Sequence, residues 1–517
     1  MSIVQQAHIQ STRARIASVE PRNGGVRIST ENGVHEYEGA FVLPGLVDAH
    51  AHIVGHGMRL SVTALYECTS LQQCTRALQA SQYRRGDWVF GMGWNEELWT
   101  CGSKPLKSRL DEIFPHTPVY LRRADGHAAW VNSVALQMAG ITDSSRDPLG
   151  GSIERNSAGH ATGVLIDNAM LLVERLLPQP GDDDIMRAIL LSQEACSSRG
   201  LTEIHDMDVA PKYIPLFREM AERGELRTRI QTWVSGQNDE WLDAGVLPAI
   251  GEFQTTLGVK FFADGALGSR GAALLQPYAD AHDSTGLFLL SYDDLYSKAR
   301  RACEQGFHVA THAIGDAANR MVIDVYEKLR REGIADASTI LRIEHTQIIQ
   351  PSDIPRMAEH SMWASVQPIH CTSDAFMAEK RLGDRCVNGY PWRSLISAGV
   401  RMCAGSDFPI ESHDPLLGID AFCERVPGNT GSIGTAAWYG NERISRQEAL
   451  RAYTLWAHES ADVGYRRGEL RPGADADFTV VDRNIETCTA LELMNVKVLA
   501  TYCAGRRMYH ADGAAHE

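Results

Sequence analysis

Apolar runs of strand length recur along the chain. Most end on a polar side chain that can do chemistry: 46–52, 202–206, 229–235, 257–264, 307–312, 340–345, 362–367 and 400–407. Helical patterns fill most of the gaps. The stretch 292–305 sets Leu295, Ala299, Ala302 and Cys303 on one face and stops at Gly306, a residue suited to the left-handed end of a helix. The stretch 318–331 does the same with Val322, Val325, Tyr326 and Leu329 and stops near Gly333. Ser445-Arg446-Gln447-Glu448 reads as a capping box opening a helix over 449–459. Strand–helix alternation repeated eight times predicts an α/β fold of the (β/α)8 TIM-type barrel class over 46–465.

Two regions break the rhythm. Residues 57–199 form an insertion between the first and second strands, far longer than a usual βα loop and a candidate lid. It carries GMGWNEELW (91–99) and LRRADGHAAWVNS (121–133). The chain ends, 1–45 and 466–517, hold short strand-like pieces at 25–29, 477–481 and 496–503. They predict a small β-sandwich-like domain beside the barrel.

Composition narrows the function classes. With 50 basic against 65 acidic residues the net charge is −15, which argues against a nucleic-acid binder and a basic membrane surface. No apolar run is long enough for a transmembrane helix, and the first twenty residues lack the apolar core of a secretory leader. The 11 cysteines are dispersed with no C-x-x-C pair, which fits a reducing cytoplasm. A small-molecule substrate is expected, and a homodimer is left open.

The chemistry starts at Val47-Asp48-Ala49-His50-Ala51-His52. Residues i and i+2 of a strand share a face, so this H-x-H aims two imidazoles into a barrel mouth. Two such rings are either half a zinc site or two hydrogen-bonded strand-end residues. His312, His345 and Asp407 end the fifth, sixth and eighth runs. Four histidines and an aspartate at strand ends 1, 5, 6 and 8 converge on one mouth in a closed barrel, where active sites sit. Lys260 lies in the apolar fourth run, GVKFF. Burial lowers a lysine's pKa, and a neutral amine near two cations can take up carbon dioxide as a bridging carbamate. The alternative is an ion pair with Asp264 or Asp206.

These segments together resemble the amidohydrolase superfamily, and within it the YtcJ-like branch that includes N-substituted formamide deformylases. The resemblance rests on LPGLVDAHAHI (43–53), RRADGHAAWVNS (122–133), GLTEIHD (200–206), VKFFADGALGSRGAAL (259–274), THAIGDAANRMVIDVYE (311–327), RIEHTQ (342–347), GSDFPIESHDPLLGI (405–419) and RPGADADFTVVD (471–482). It implies two divalent metal ions, zinc first. His50 and His52 would hold the more buried one with Asp407. His312 and His345 would hold the other, and carboxylated Lys260 would bridge them. A hydroxide held between the metals would attack an amide or N-formyl carbon, with Asp407 passing its proton to the leaving amine. The same site could open a lactone or ester. A deaminase of the superfamily would not use Lys260, and a non-catalytic scaffold would be expected to have lost ligands. Substrate contacts are sought at Asp125 and His127 in the insertion, at Arg270 (for a substrate carboxylate, or paired with Asp264), at His370 and at Trp94. Glu344 reads as a packing ion pair facing the opposite side of its strand from His345.

Overall fold

The computed structural model describes residues 14–22, 25–81, 83–99, 102–428, 436–461, 464 and 466–511. Residues 1–13 and 512–517, which the sequence assigns to the small β-domain, lie outside the described residues. The chain divides into two compact units, Met1–Ile53 with Gln193–Glu517, and Val54–Ser192.

The first unit is built on eight parallel strands: β1 (Leu46–Ala51), β2 (Leu201–Val209), β3 (Arg229–Ser235), β4 (Gln254–Phe262), β5 (His308–Ala313), β6 (Leu341–His345), β7 (Trp363–Val366) and β8 (Arg401–Ala404). They are ordered β8-β7-β6-β5-β4-β3-β2-β1. These are the eight runs read from the sequence, and helices return the chain between most of them, as parallel pairing requires. No regular ladder joins β8 to β1. The seam is bridged at the strand ends instead: the amide of Asp407 donates to His50 O at 2.7 Å, and that of His52 to Phe408 O at 2.9 Å. Gly405 makes this approach feasible, because a Cβ there would stand 2.2 Å from the His50 nitrogen. Crossing to β1 also ends β8 at Ala404, short of the predicted 407.

A second difference lies near the C-terminus. The capping box at Ser445 and Glu448 forms as read, but the predicted helix over 449–459 is two helices, Arg446–Ala452 and Leu455–Glu459. The Tyr453 carbonyl accepts from the amide of Val47 in β1 at 2.8 Å, and Thr454 Oγ1 bonds back to Leu450 O at 2.7 Å. The sheet bond takes the carbonyl that would have continued the helix.

The chain ends make two small antiparallel sheets. One joins Ile16–Arg22, Gly25–Thr30 and Gly33–Glu38; the other joins Phe41–Pro44, Phe478–Val481, Val498–Cys503 and Arg506–His510. Ile16, Val26, Ile28 and Tyr37 of the first share one apolar cluster with Phe478, Val480, Ala500 and Tyr502 of the second.

The second unit carries its own sheet, built on Trp88–Trp94, Val119–Arg123, Ala128–Val131, Gly151–Arg155 and Ala161–Asp167, with two-residue strands beside Trp88–Trp94. Alternation along these strands gives it two faces. Val89, Leu121, Trp130 and Val164 enter one apolar cluster, and Phe90, Tyr120, Val131 and Leu165 enter another. Among the described residues no helix is long and apolar enough to cross a membrane.

Candidate metal centre

The centre is assembled at the C-terminal ends of the barrel strands. On β1 and just past its end, Asp48, His50 and His52 follow the alternation of a strand face. Asp48 points at the seam: its carboxylate accepts from the Ser406 amide at 3.0 Å, from Ser406 Oγ at 2.5 Å and from the His50 amide at 3.1 Å. It thereby ties the Gly405–Asp407 turn to β1. Nothing in the sequence reading singled it out, although D-x-H-x-H places it one step below His50 on the same face. Burial pushes its carboxyl up to about 7 despite those donors.

His52 Nε2 lies 3.0 Å from Asp407 Oδ1, and His50 Nε2 lies 3.6 Å from the same oxygen. The far nitrogens are held from behind, His52 Nδ1 by Met207 O at 3.0 Å and His50 Nδ1 by Glu344 at 2.6 Å. His345 packs 4.5 Å from His312 and 5.0 Å from His50, centroid to centroid. His50, His345 and Asp407 offer ligand atoms all within 4.8 Å of one another, a group that could hold a metal ion.

Asp407 and His345 both adopt the left-handed backbone region, φ 61° and 72°. Non-glycine residues are costly there and tend to persist at functional sites. At His345 this conformation changes which way the strand's side chains point. Simple alternation would set Glu344 and His345 on opposite sides of β6, and so the sequence read them. Instead Arg342 and Glu344 point into the barrel, and the turned backbone brings His345 into the mouth as well. Glu344 does form the expected ion pair with Arg342, at 2.8 Å, but not on the opposite side.

Lys260 is buried on β4 beside Ala310 of β5. It pairs with neither Asp264 nor Asp206. Its Nζ sits 4.8 Å over the Phe262 ring. Burial lowers its pKa, with the negative charges of Glu344, Asp407 and Asp208 pulling the other way. Asp206 instead accepts from the Ile53 amide. Asp264 accepts from three backbone amides, those of Ala273, Ile314 and Gly315. It stands 3.5 Å from His312 Nε2.

Electrostatics suit a cation. Burial drives the His50 and His312 imidazoles down to about 4 and about 3, and takes His345 well below its usual value. They are neutral rings with lone pairs to give. Burial raises the Asp407 carboxyl, but the surrounding histidines outweigh it and hold the group ionised. His312 Nε2, His345 Nδ1 and His370 Nε2 are buried and have no hydrogen-bond partner among the described residues. Orphaned ring nitrogens, those of His345 and His370 near Asp407 and that of His312 near Asp264, are what a bound metal ion would satisfy.

The second-tier candidates divide. His370 stands beside the centre. It lies in the first turn of the helix Pro368–Leu382, stacks on His345 at 5.9 Å and 13°, and sets Nε2 3.9 Å from Asp407 Oδ2. Arg270 pairs with Asp280 at 3.0 Å rather than with Asp264, and Asp280 is shared with Arg381, so its guanidinium is already engaged. Trp94 is packed inside an apolar cluster. It is buried in the second unit against Trp130 and donates Nε1 to Leu121 O at 2.8 Å. Asp125 and His127 stand on the surface of that unit, bonded to Arg123 and Asp167 respectively.

An eight-stranded parallel barrel with a mouth of histidines around an aspartate defines a class of protein that works at its strand ends, with a metal ion within reach. Residues 37–509 match the model of the amidohydrolase family, and the chain belongs to that family. It is 34% identical over 495 residues to Protein LONG AFTER FAR-RED 3 of Arabidopsis thaliana, covering 91% of this chain and 83% of that one. It is 33% identical to the putative amidohydrolase YtcJ of Bacillus subtilis (strain 168), covering 91% and 89%. It is 28% identical to an N-substituted formamide deformylase of Arthrobacter pascens, covering 99% and 96%. Among solved structures, an uncharacterized metal-dependent hydrolase from Pyrococcus furiosus superposes with a TM-score of 0.71 at 26% identity, covering 87% and 88%. The family resemblance read from the sequence is borne out.

Proposed function

We propose that this amidohydrolase-family chain is a metal-dependent hydrolase that cleaves a non-peptide carbon–nitrogen bond, an N-formyl or N-acyl amide of a small molecule. The observation that carries the reading is the convergence of His50, His345 and Asp407 within 4.8 Å at the strand ends. The likeness to an N-substituted formamide deformylase over 99% of this chain supports the choice of bond.

His50, His52 and Asp407 would hold one divalent ion and His312 and His345 a second, with zinc favoured by the imidazole-rich donor set. Lys260, as a carbamate, would supply the bridging oxygens. Bound there, the ions supply Lewis acidity and make water a nucleophile near neutral pH. The chain's own residues do the rest. Asp407, ionised and in the mouth, takes the proton of the attacking water and passes it to the leaving nitrogen. His370, whose unpartnered Nε2 faces the same carboxylate, is placed to hydrogen-bond the substrate. Arg270 is left out, because Asp280 already occupies it.

The test is metal analysis of the purified protein, followed by a hydrolysis screen on N-formyl, N-acyl and cyclic amides with lactones included. Up to two divalent ions per chain and turnover of an N-formyl or N-acyl amide are expected. Full metal content in a His50→Ala/His52→Ala double variant would refute the site, and turnover of lactones alone would refute the bond.

A further inference from the structure

Glu344 supplies no ligand in the centre described above, yet it touches one. Its side chain is fully buried. Oε2 accepts from His50 Nδ1 at 2.6 Å and from Arg342 at 3.1 Å; Oε1 accepts from Arg342 Nε at 2.8 Å. Arg342 is itself fixed from other strands. Its guanidinium donates to Ala49 O on β1 at 2.6 Å, to Ser365 Oγ on β7 at 2.9 Å and to His205 Nδ1 on β2 at 2.9 Å. It also lies 4.9 Å over the Trp233 ring of β3. A guanidinium gripped from so many sides cannot swing, and neither can the carboxylate it holds in a two-pronged bond.

The consequence falls on His50. A proton on Nδ1, donated to a carboxylate, leaves the lone pair on Nε2, the nitrogen that faces Asp407 at 3.6 Å. A carboxylate behind an imidazole also makes the other nitrogen a stronger donor. We infer that Glu344, clamped by Arg342, is a positioning residue that sets the tautomer and ring orientation of His50 for metal binding. This rests on the metal centre proposed above and adds a residue that is not itself a ligand.

The test is metal affinity, read by competition between the protein and a chromogenic chelator for Zn(II), together with the visible spectrum of the Co(II)-loaded protein. Glu344→Gln keeps the shape and an oxygen acceptor but loses the charge. Its affinity is expected to fall about 10- to 100-fold, the range for outer partners of metal ligands. Its Co(II) bands should also shift, which a merely structural role would not cause in a folded variant. Wild-type affinity and spectrum in folded Glu344→Gln overturn the inference and leave the metal centre standing. A wild type that takes up no metal overturns both. If Glu344→Gln does not fold, the zinc-loaded wild type decides by nitrogen-15 histidine NMR, with His50 assigned from the signals missing in His50→Asn. A proton on Nδ1 is expected, and a proton on Nε2 overturns the inference.

Discussion

At the scale of the residue, the centre depends on how burial treats each group. Burial lowers the pKa of His50 and His312, while the hydrogen bond to His52, whose own pKa Asp407 raises, helps hold the Asp407 carboxyl below its usual range. Lys260 belongs to the same economy. As an ammonium it would stand among groups meant for cations; as a carbamate it would join them. Lys260→Ala should lose at least about 100-fold in activity, the upper end of what even outer partners of ligands cost. It should retain less metal, and added acetate should restore part of both. Near-normal turnover with full metal content would show the lysine to be structural. Glu344 was legible in the sequence only as half of an ion pair. Strand alternation predicts direction from parity, and the left-handed backbone at His345 breaks parity at that position.

At the scale of the element, the strand ends hold one another in place. Gly405 lets β8 pass against β1, and Asp48 locks the turn that follows. Gly405→Val would force a methine carbon against the His50 nitrogen. It should cost about 1–3 kcal/mol, as overpacked sites do, and lower metal content with it. Thermal denaturation alongside metal analysis would check both; an unchanged metal stoichiometry would uncouple the seam from the site. Elsewhere in the unit, Glu448 caps the helix Arg446–Ala452 and binds Arg393, which draws its carboxyl down to about 2. Asp280 is drawn to about 2 by Arg270 and Arg381. Both folded values lie below the unfolded ones, so their contribution is full above about pH 4.5 and is lost as the pH falls towards 2. The melting temperature should therefore drop through that window, and the drop should shrink in Glu448→Gln. An identical acid limb in the variant would remove Glu448 from the account.

At the scale of the whole first unit, a line of buried charge runs from the mouth to the chain's C-terminal segment. Arg342 binds His205, His205 stands 3.3 Å from Glu203, and Glu203 takes Arg467 at 2.7 Å. Arg467 binds Asp475 at 3.0 Å, and Asp477 holds Arg229 of β3 at 2.8 Å. Arg467→Met leaves Glu203 and Asp475 short of a partner in the interior. Breaking a buried pair in this way costs about 3–5 kcal/mol, to be read from the urea midpoint. A loss below about 1 kcal/mol would mean that the remaining partners carry those carboxylates without it.

The sequence by itself determined the barrel, its eight strands and the residues at their mouths. A strand needs a run of apolar residues and a ligand needs a particular side chain, and both are properties of consecutive positions. It also carried the family resemblance, because motifs are local. Only the tertiary structure decided which partner each charged group takes. Arg270 chose Asp280 over Asp264, Lys260 chose neither aspartate, and His370 stacked on His345. The two-sided sheet of 54–192, and the use of Asp48 and Glu344 to fix the seam and His50, were likewise settled in three dimensions. The reason is physical: the fold decides which charged groups stand within hydrogen-bond reach of about 3 Å, and no spacing along the chain records that distance.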